Sequence, residues 1–179
     1  MNFRTLKADE IDCRIAQVFY NSDNTVKGLT LLLYKDARCD MNVLDESGIQ
    51  WQRRHYECKG NLFCSVGLFI NNEWIWKDDC GTESYTEKEK GEASDSFKRA
   101  CVNWGIGREL YTAPLIYIGQ SDKDGQPNFE VYNKNGKLTP KGNFIVENIV
   151  IEDGKITKLS ISNSKMNKSV FEWGVRYGV

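Results

Sequence analysis

Gln50–Cys80 reads QWQRRHYECKGNLFCSVGLFINNEWIWKDDC, and its periodicity decides the fold. Side chains along a strand alternate between two faces. In Leu62–Ile70 this alternation puts Leu62, Cys64, Val66, Leu68 and Ile70 on one face. Gln50–Cys58 is a strand before it, turned by Lys59-Gly60-Asn61. Asn71-Asn72 is a two-residue turn of residues that tolerate positive φ. It leads into Glu73–Cys80, where Trp74 and Trp76 share a face. The three strands form an antiparallel meander.

A long helix follows. Ala93, Phe97, Ala100, Cys101 and Trp104 recur at helical spacing and make one apolar stripe. Thr86 with Glu89 has the pattern of a capping box, although Gly91 in the early turns costs about 1 kcal/mol relative to alanine. Gly105 and Gly107 end the helix. Acids dominate Glu83–Asp95, while Lys98, Arg99 and Arg108 come late, as the helix dipole favours. Before the meander, Ile11–Tyr20 and Val26–Tyr34 read as a hairpin around Asn21–Asn24. In Asp36–Glu46, Ala37, Met41 and Leu44 mark a short amphipathic helix stopped by Gly48. After Pro114 the chain is β-rich, with strands expected over Leu115–Ile118, Phe129–Asn133, Phe144–Ile151 and Lys155–Ser162. Asn135-Gly136 and Asp153-Gly154 are hairpin turns. The expected class is α+β: an antiparallel β-β-β-α core, a preceding hairpin and short helix, and a β-rich C-terminal region. The core is assigned to residues 1–113 and the extension, open to being part of the same domain, to 114–179.

The 179 residues carry 24 Lys and Arg against 25 Asp and Glu, a net charge of −1. A surface that neutralises phosphate usually has a basic excess, so such a surface here requires basic residues segregated from acidic ones. The amino-terminal stretch lacks the apolar core of a signal peptide, and the longest apolar run, Leu29–Tyr34, is too short to span a bilayer. A cytoplasmic protein without a membrane partner is expected. Six cysteines and one histidine include no paired zinc ligands. No metal or cofactor is expected, and the cysteines read as buried free thiols.

Trp51-Gln52-Arg53-Arg54, Trp74-Ile75-Trp76-Lys77, Gly81-Thr82-Glu83-Ser84, Tyr34–Leu44 (YKDARCDMNVL) and above all Gly91–Tyr111 (GEASDSFKRACVNWGIGRELY) carry a resemblance. Over roughly residues 10–118 the chain resembles the bacterial and phage branch of the Rad-fifty-two/Rad-twenty-two family of single-strand annealing proteins. The resemblance implies a β-β-β-α core that assembles into homo-oligomeric rings or helical arrays. It implies single-stranded DNA held by its backbone in a basic groove, with bases left available for pairing in recombination or repair, and no covalent chemistry. A single-strand binding protein or a recombinase is a further expected partner. The groove residues it implies are Arg38, the pair Lys98 and Arg99, and Lys90 earlier on the same helix. The eukaryotic relatives carry a further arginine where this chain has Val102, so one expected phosphate contact is missing.

Phosphate contacts from Lys and Arg hold a strand without reading its sequence. Each candidate also has a structural reading. Arg99 lies four residues after Asp95, an ion-pair spacing, and the two readings stand level. Lys98 has Ser94 at that spacing, which favours DNA. Arg38 lies between Asp36 and Asp40, and the resemblance favours DNA. Lys90, flanked by Glu89 and Glu92, reads more simply as a solvated lysine. Arg53 and Arg54, read as candidates for a second contact to the DNA backbone, project from opposite faces of one strand, so one of them at most reaches a given surface. Trp74, Trp76 and Trp104 are assigned to core or subunit contacts rather than to base stacking. His55 is read as a strand residue with a hydrogen-bond partner. Two other classes compete: a metal-dependent nuclease built on Asp78, Asp79, Glu83 and Asp95, and a non-enzymatic protein-interaction module.

Overall fold

The computed structural model describes residues 2–82 and 88–174, with the side chains of residues 88–90 left out. The fold is mixed α+β with a β-rich body. Two α-helices and eleven strands are present among the described residues. None of these helices is long and apolar enough to cross a membrane. The chain divides into two compact units, Met1–Leu6 with Lys35–Arg108, and Lys7–Tyr34 with Glu109–Val179.

The first unit contains the meander. Strands β3 (Trp51–Cys58), β4 (Asn61–Ile70) and β5 (Glu73–Cys80) pair antiparallel in the order β3-β4-β5. Lys59 and Gly60 have φ of 53° and 77°, and Asn71 and Asn72 have 52° and 63°. Two successive positive φ values give the turn whose twist matches the flanking strands. Helix α1 (Ala37–Glu46) starts at Asp36, whose carboxylate accepts the N–H groups of Arg38 and Cys39. Helix α2 (Lys88–Asn103) packs across β4 and β5. Its stripe of Phe97, Ala100 and Cys101 is fully buried, as are Cys64, Val66 and Leu68 of β4. Gly105, at φ 100°, ends the helix. Thr86 of the expected capping box lies outside the described residues.

The second unit holds a six-stranded sheet in the order β11-β10-β9-β1-β2-β6. Its strands are β1 (Asp12–Tyr20), β2 (Val26–Tyr34), β6 (Ile116–Gly119), β9 (Phe144–Glu152), β10 (Lys155–Asn163) and β11 (Lys168–Trp173). A separate hairpin joins β7 (Glu130–Lys134) to β8 (Lys137–Lys141). Asn135-Gly136 and Asp153-Gly154 make the expected turns, with positive φ throughout.

The division expected after residue 113 is corrected here. The amino-terminal hairpin belongs with the C-terminal strands. Leu29 pairs with Ile118 and Leu31 with Ile116, and all four side chains are buried. The apolar face of β2 therefore continues onto β6 within one sheet that the C-terminal strands complete. None of the six cysteines is in a disulfide, but only Cys39, Cys64 and Cys101 are buried. Cys58 is exposed, and Cys13 and Cys80 are intermediate.

Candidate nucleic-acid interface

Lys35, Arg38 and Lys98 each act on an acid where α1 begins. Lys35 and Asp40 form an ion pair that is almost wholly buried. Burial pushes the Asp40 carboxyl up to about 6, against the opposing pull of Lys35 and, further off, Lys98. Its Oδ2 has no hydrogen-bond partner among the described residues. Arg38, 85% exposed, donates to Asp36 through Nε and Nη2 at 3.1 and 2.9 Å. Burial tends to raise the Asp36 carboxyl, but hydrogen bonds from Cys39 and Arg38 outweigh it and hold the group below its ordinary value. Lys98 is half-buried on α2, and α1 and α2 pack together. Arg38 thus pairs with Asp36 at the start of α1, and Lys98 of α2 acts on Asp40 within the same first turn.

Arg99 points elsewhere. Its Nε donates to Asp79 Oδ1 on β5 at 3.2 Å, and 44% of its side chain is exposed. Asp95, the acid four residues before it, accepts from Thr82 N and Oγ1, both at 3.1 Å. The helical spacing thus identified an acid occupied by the backbone and hydroxyl of Thr82. The ion pair seen with Arg99 comes from the sheet. Arg53 and Arg54 are on opposite faces of β3, as alternation requires. Arg53 lies over the Phe97 ring at 4.6 Å, on the α2 side, and Arg54 over the Trp76 ring at 4.4 Å, on the other. The Lys90 side chain lies outside the described residues.

Arg108 was read only as a helix-end charge, and it does more. Its Nη2 donates to the carbonyls of Val102 and Asn103 at 2.8 and 3.1 Å. Lys77 Nζ also reaches Asn103 O, at 2.8 Å. Two cations therefore satisfy the last carbonyls of α2, where the dipole is negative. The exposed Arg108 guanidinium occupies the turn at which Val102 supplies no charge. A return of chain through glycine after the helix was the available signal.

The tryptophans separate. Trp104 packs on the α2 side, with Nε1 donating to Val66 O at 2.9 Å and Lys77 over its ring at 4.3 Å. Trp74 and Trp76 are on the opposite face of the sheet, paired with Phe69 and Gly67. Trp74 is 38% exposed, which removes the core half of its assignment and leaves the subunit contact. His55 has its partner: Nε2 lies 3.0 Å from Ala93 O.

The acids considered for a nuclease do not converge. Asp78 accepts the Tyr56 hydroxyl at 2.8 Å on one face, while Asp79 meets Arg99 on the other. Asp95 serves Thr82, and Glu83 lies outside the described residues. Among the described residues no three His, Cys, Asp or Glu side chains group as metal ligands. No family model, curated protein or solved structure matches the chain.

Proposed function

We propose that the chain binds single-stranded DNA without sequence preference and anneals complementary strands as a homo-oligomer. The observation that carries this reading is that cations from two elements lie by the start of α1, Arg38 paired with Asp36 and Lys98 of α2 close enough to act on Asp40. The two residues are remote in sequence and were named from separate motifs. The order β3-β4-β5-α2, with α1 packed on α2, supports the finer reading of an annealing core. Arg99 joins the groove by exchanging its partner. Its half-exposed pair with Asp79 is of a kind worth about 0–1 kcal/mol, so a phosphate can displace the carboxylate. The near-neutral net charge means that each subunit holds few phosphates. Tight binding then comes from many subunits sharing one strand.

The test is binding of a fluorescent oligonucleotide at two salt concentrations, followed by an annealing assay on complementary strands. Phosphate binding must weaken as salt rises. Absence of binding at low salt would remove the proposal. Cleavage of the DNA with magnesium or manganese, abolished by substitution of Asp78 or Asp79, would replace it with the nuclease reading.

A further inference from the structure

We propose that the face of the β3-β4-β5 sheet turned away from α2 is a second nucleic-acid site, which stacks the unpaired bases of a single strand. This inference rests on the reading of the chain as a single-strand binder.

The two faces of this sheet differ in kind. The face under α2 is built on the aliphatic side chains Val66 and Leu68 and is closed by Phe97. On the opposite face the large apolar side chains are all rings. Tyr56 stacks on Phe63 with centroids 5.5 Å apart and 20° between planes. Phe69 meets Trp74 at 5.4 Å, and Trp74 meets Trp76 at 6.0 Å. Gly67 makes the surface flat at its centre. A Cβ there would lie 2.7 Å from the Trp76 ring, so only glycine lets that ring rest against the strand. Tyr56, Phe69 and Trp74 are 39%, 36% and 38% exposed. A covered core would leave much less ring surface in water.

A polar row crosses this face between the two ring clusters. Arg54, Ser65 and Asp78 are register partners on the three strands. Arg54 supplies guanidinium donors beside Trp76. Asp78 supplies carboxylate oxygens, one of them already accepting from Tyr56. Ser65 between them is fully buried, so the row presents only the Arg54 and Asp78 side chains. Flat rings on either side of a donor and an acceptor match a nucleobase, which has π faces and a polar edge. The core of a subunit contact is depleted in charge. Here a cation and an anion stand mid-face. The Arg54 cation also suits a phosphate-bearing strand.

Stacking of this kind selects single strands. Bases in a duplex already stack on their neighbours and cannot present a free face to the rings. A strand held here would leave the platform as it pairs.

The test compares a labelled oligo(dT) with an abasic oligonucleotide of equal length, each at two salt concentrations. The proteins are wild type, Phe69→Ala/Trp74→Ala and Trp74→Phe. Wild type is expected to favour the strand with bases. The double variant should bind oligo(dT) about five- to a hundred-fold more weakly. Its affinity for the abasic strand, and the slope of affinity against salt, should not change. Trp74→Phe keeps a ring and should stay close to wild type. Equal wild-type binding of the two strands would overturn this site and leave phosphate binding intact. Wild-type affinity in the double variant would do the same. Loss of binding in step with a smaller particle mass would assign the face to a second copy of the chain. Failure of wild type to bind either strand would remove the single-strand reading, and this site with it.

Discussion

Asp40 is held in a place that disfavours its own charge. Its carboxyl stands near 6, above the ordinary 3.8, because burial outweighs Lys35 and Lys98. Between those values the folded protein binds a proton that the unfolded chain has released. The stability drawn from Asp40 is therefore full below about pH 4 and is lost as pH rises through 6. Urea unfolding from pH 4 to 7 should show this decline, and Asp40→Asn should lack that part of it. At neutral pH wild type carries the charge that the fold disfavours, so the neutral amide of Asp40→Asn should unfold at a urea midpoint no lower than that of wild type. Lys98→Ala and Arg38→Ala act on exposed or half-exposed groups. Each should weaken oligonucleotide binding while sparing folding, and each should reduce the salt slope by about one. Wild-type affinity in both purified variants would exclude them from the groove. The residue scale was the least legible in the sequence. The motifs named Lys98 and Arg38, but nothing local places Asp79, rather than Asp95, beside Arg99. That pairing depends on how α2 crosses β5.

Elements were far more legible, because their signals are local. The positive-φ pairs Lys59-Gly60, Asn71-Asn72, Asn135-Gly136 and Asp153-Gly154 all turn strands as their residue types require. The alternation in Leu62–Ile70 and the stripe from Phe97 to Cys101 both mark buried faces. Phe97 is the hinge of this packing: it meets Trp51 at 6.2 Å and carries Arg53 over its ring. Phe97→Ala should cost about 3–5 kcal/mol, seen as a fall in the urea midpoint. Gly67→Ala should instead displace Trp76. A red shift in tryptophan emission is expected, and an unchanged spectrum would mean that the ring does not rest on this strand. Strand β11 escaped the sequence reading. Its six residues, KSVFEW, alternate weakly and end in half-exposed or exposed positions. The outward direction of Trp74 was also hidden. Alternation says which residues share a face, not which face receives the helix.

Assembly belongs to the whole molecule. A large homo-oligomer is expected in solution, and a strictly monomeric mass at working concentration would contradict it. The organisation of the chain was hidden for a different reason. Hairpin β1-β2 satisfies its local signals alone, and its long-range partners β6 and β9 show where it belongs. Strands β2 and β6 are neighbours in the sheet but are separated along the chain by residues 35–115, most of them the inserted Lys35–Arg108. Pairing them closes a loop of that whole length. For a disordered segment the entropy of closure is about 4 kcal/mol. Once Lys35–Arg108 has folded, the loop is no longer a random chain and most of that cost has already been met. One unit thereby acts as an entropic splint for the other. Amide exchange across Leu29–Leu31 and Ile116–Ile118 should quicken when Phe97→Ala loosens the inserted unit. Unchanged exchange there would show that the six-stranded sheet closes without that help.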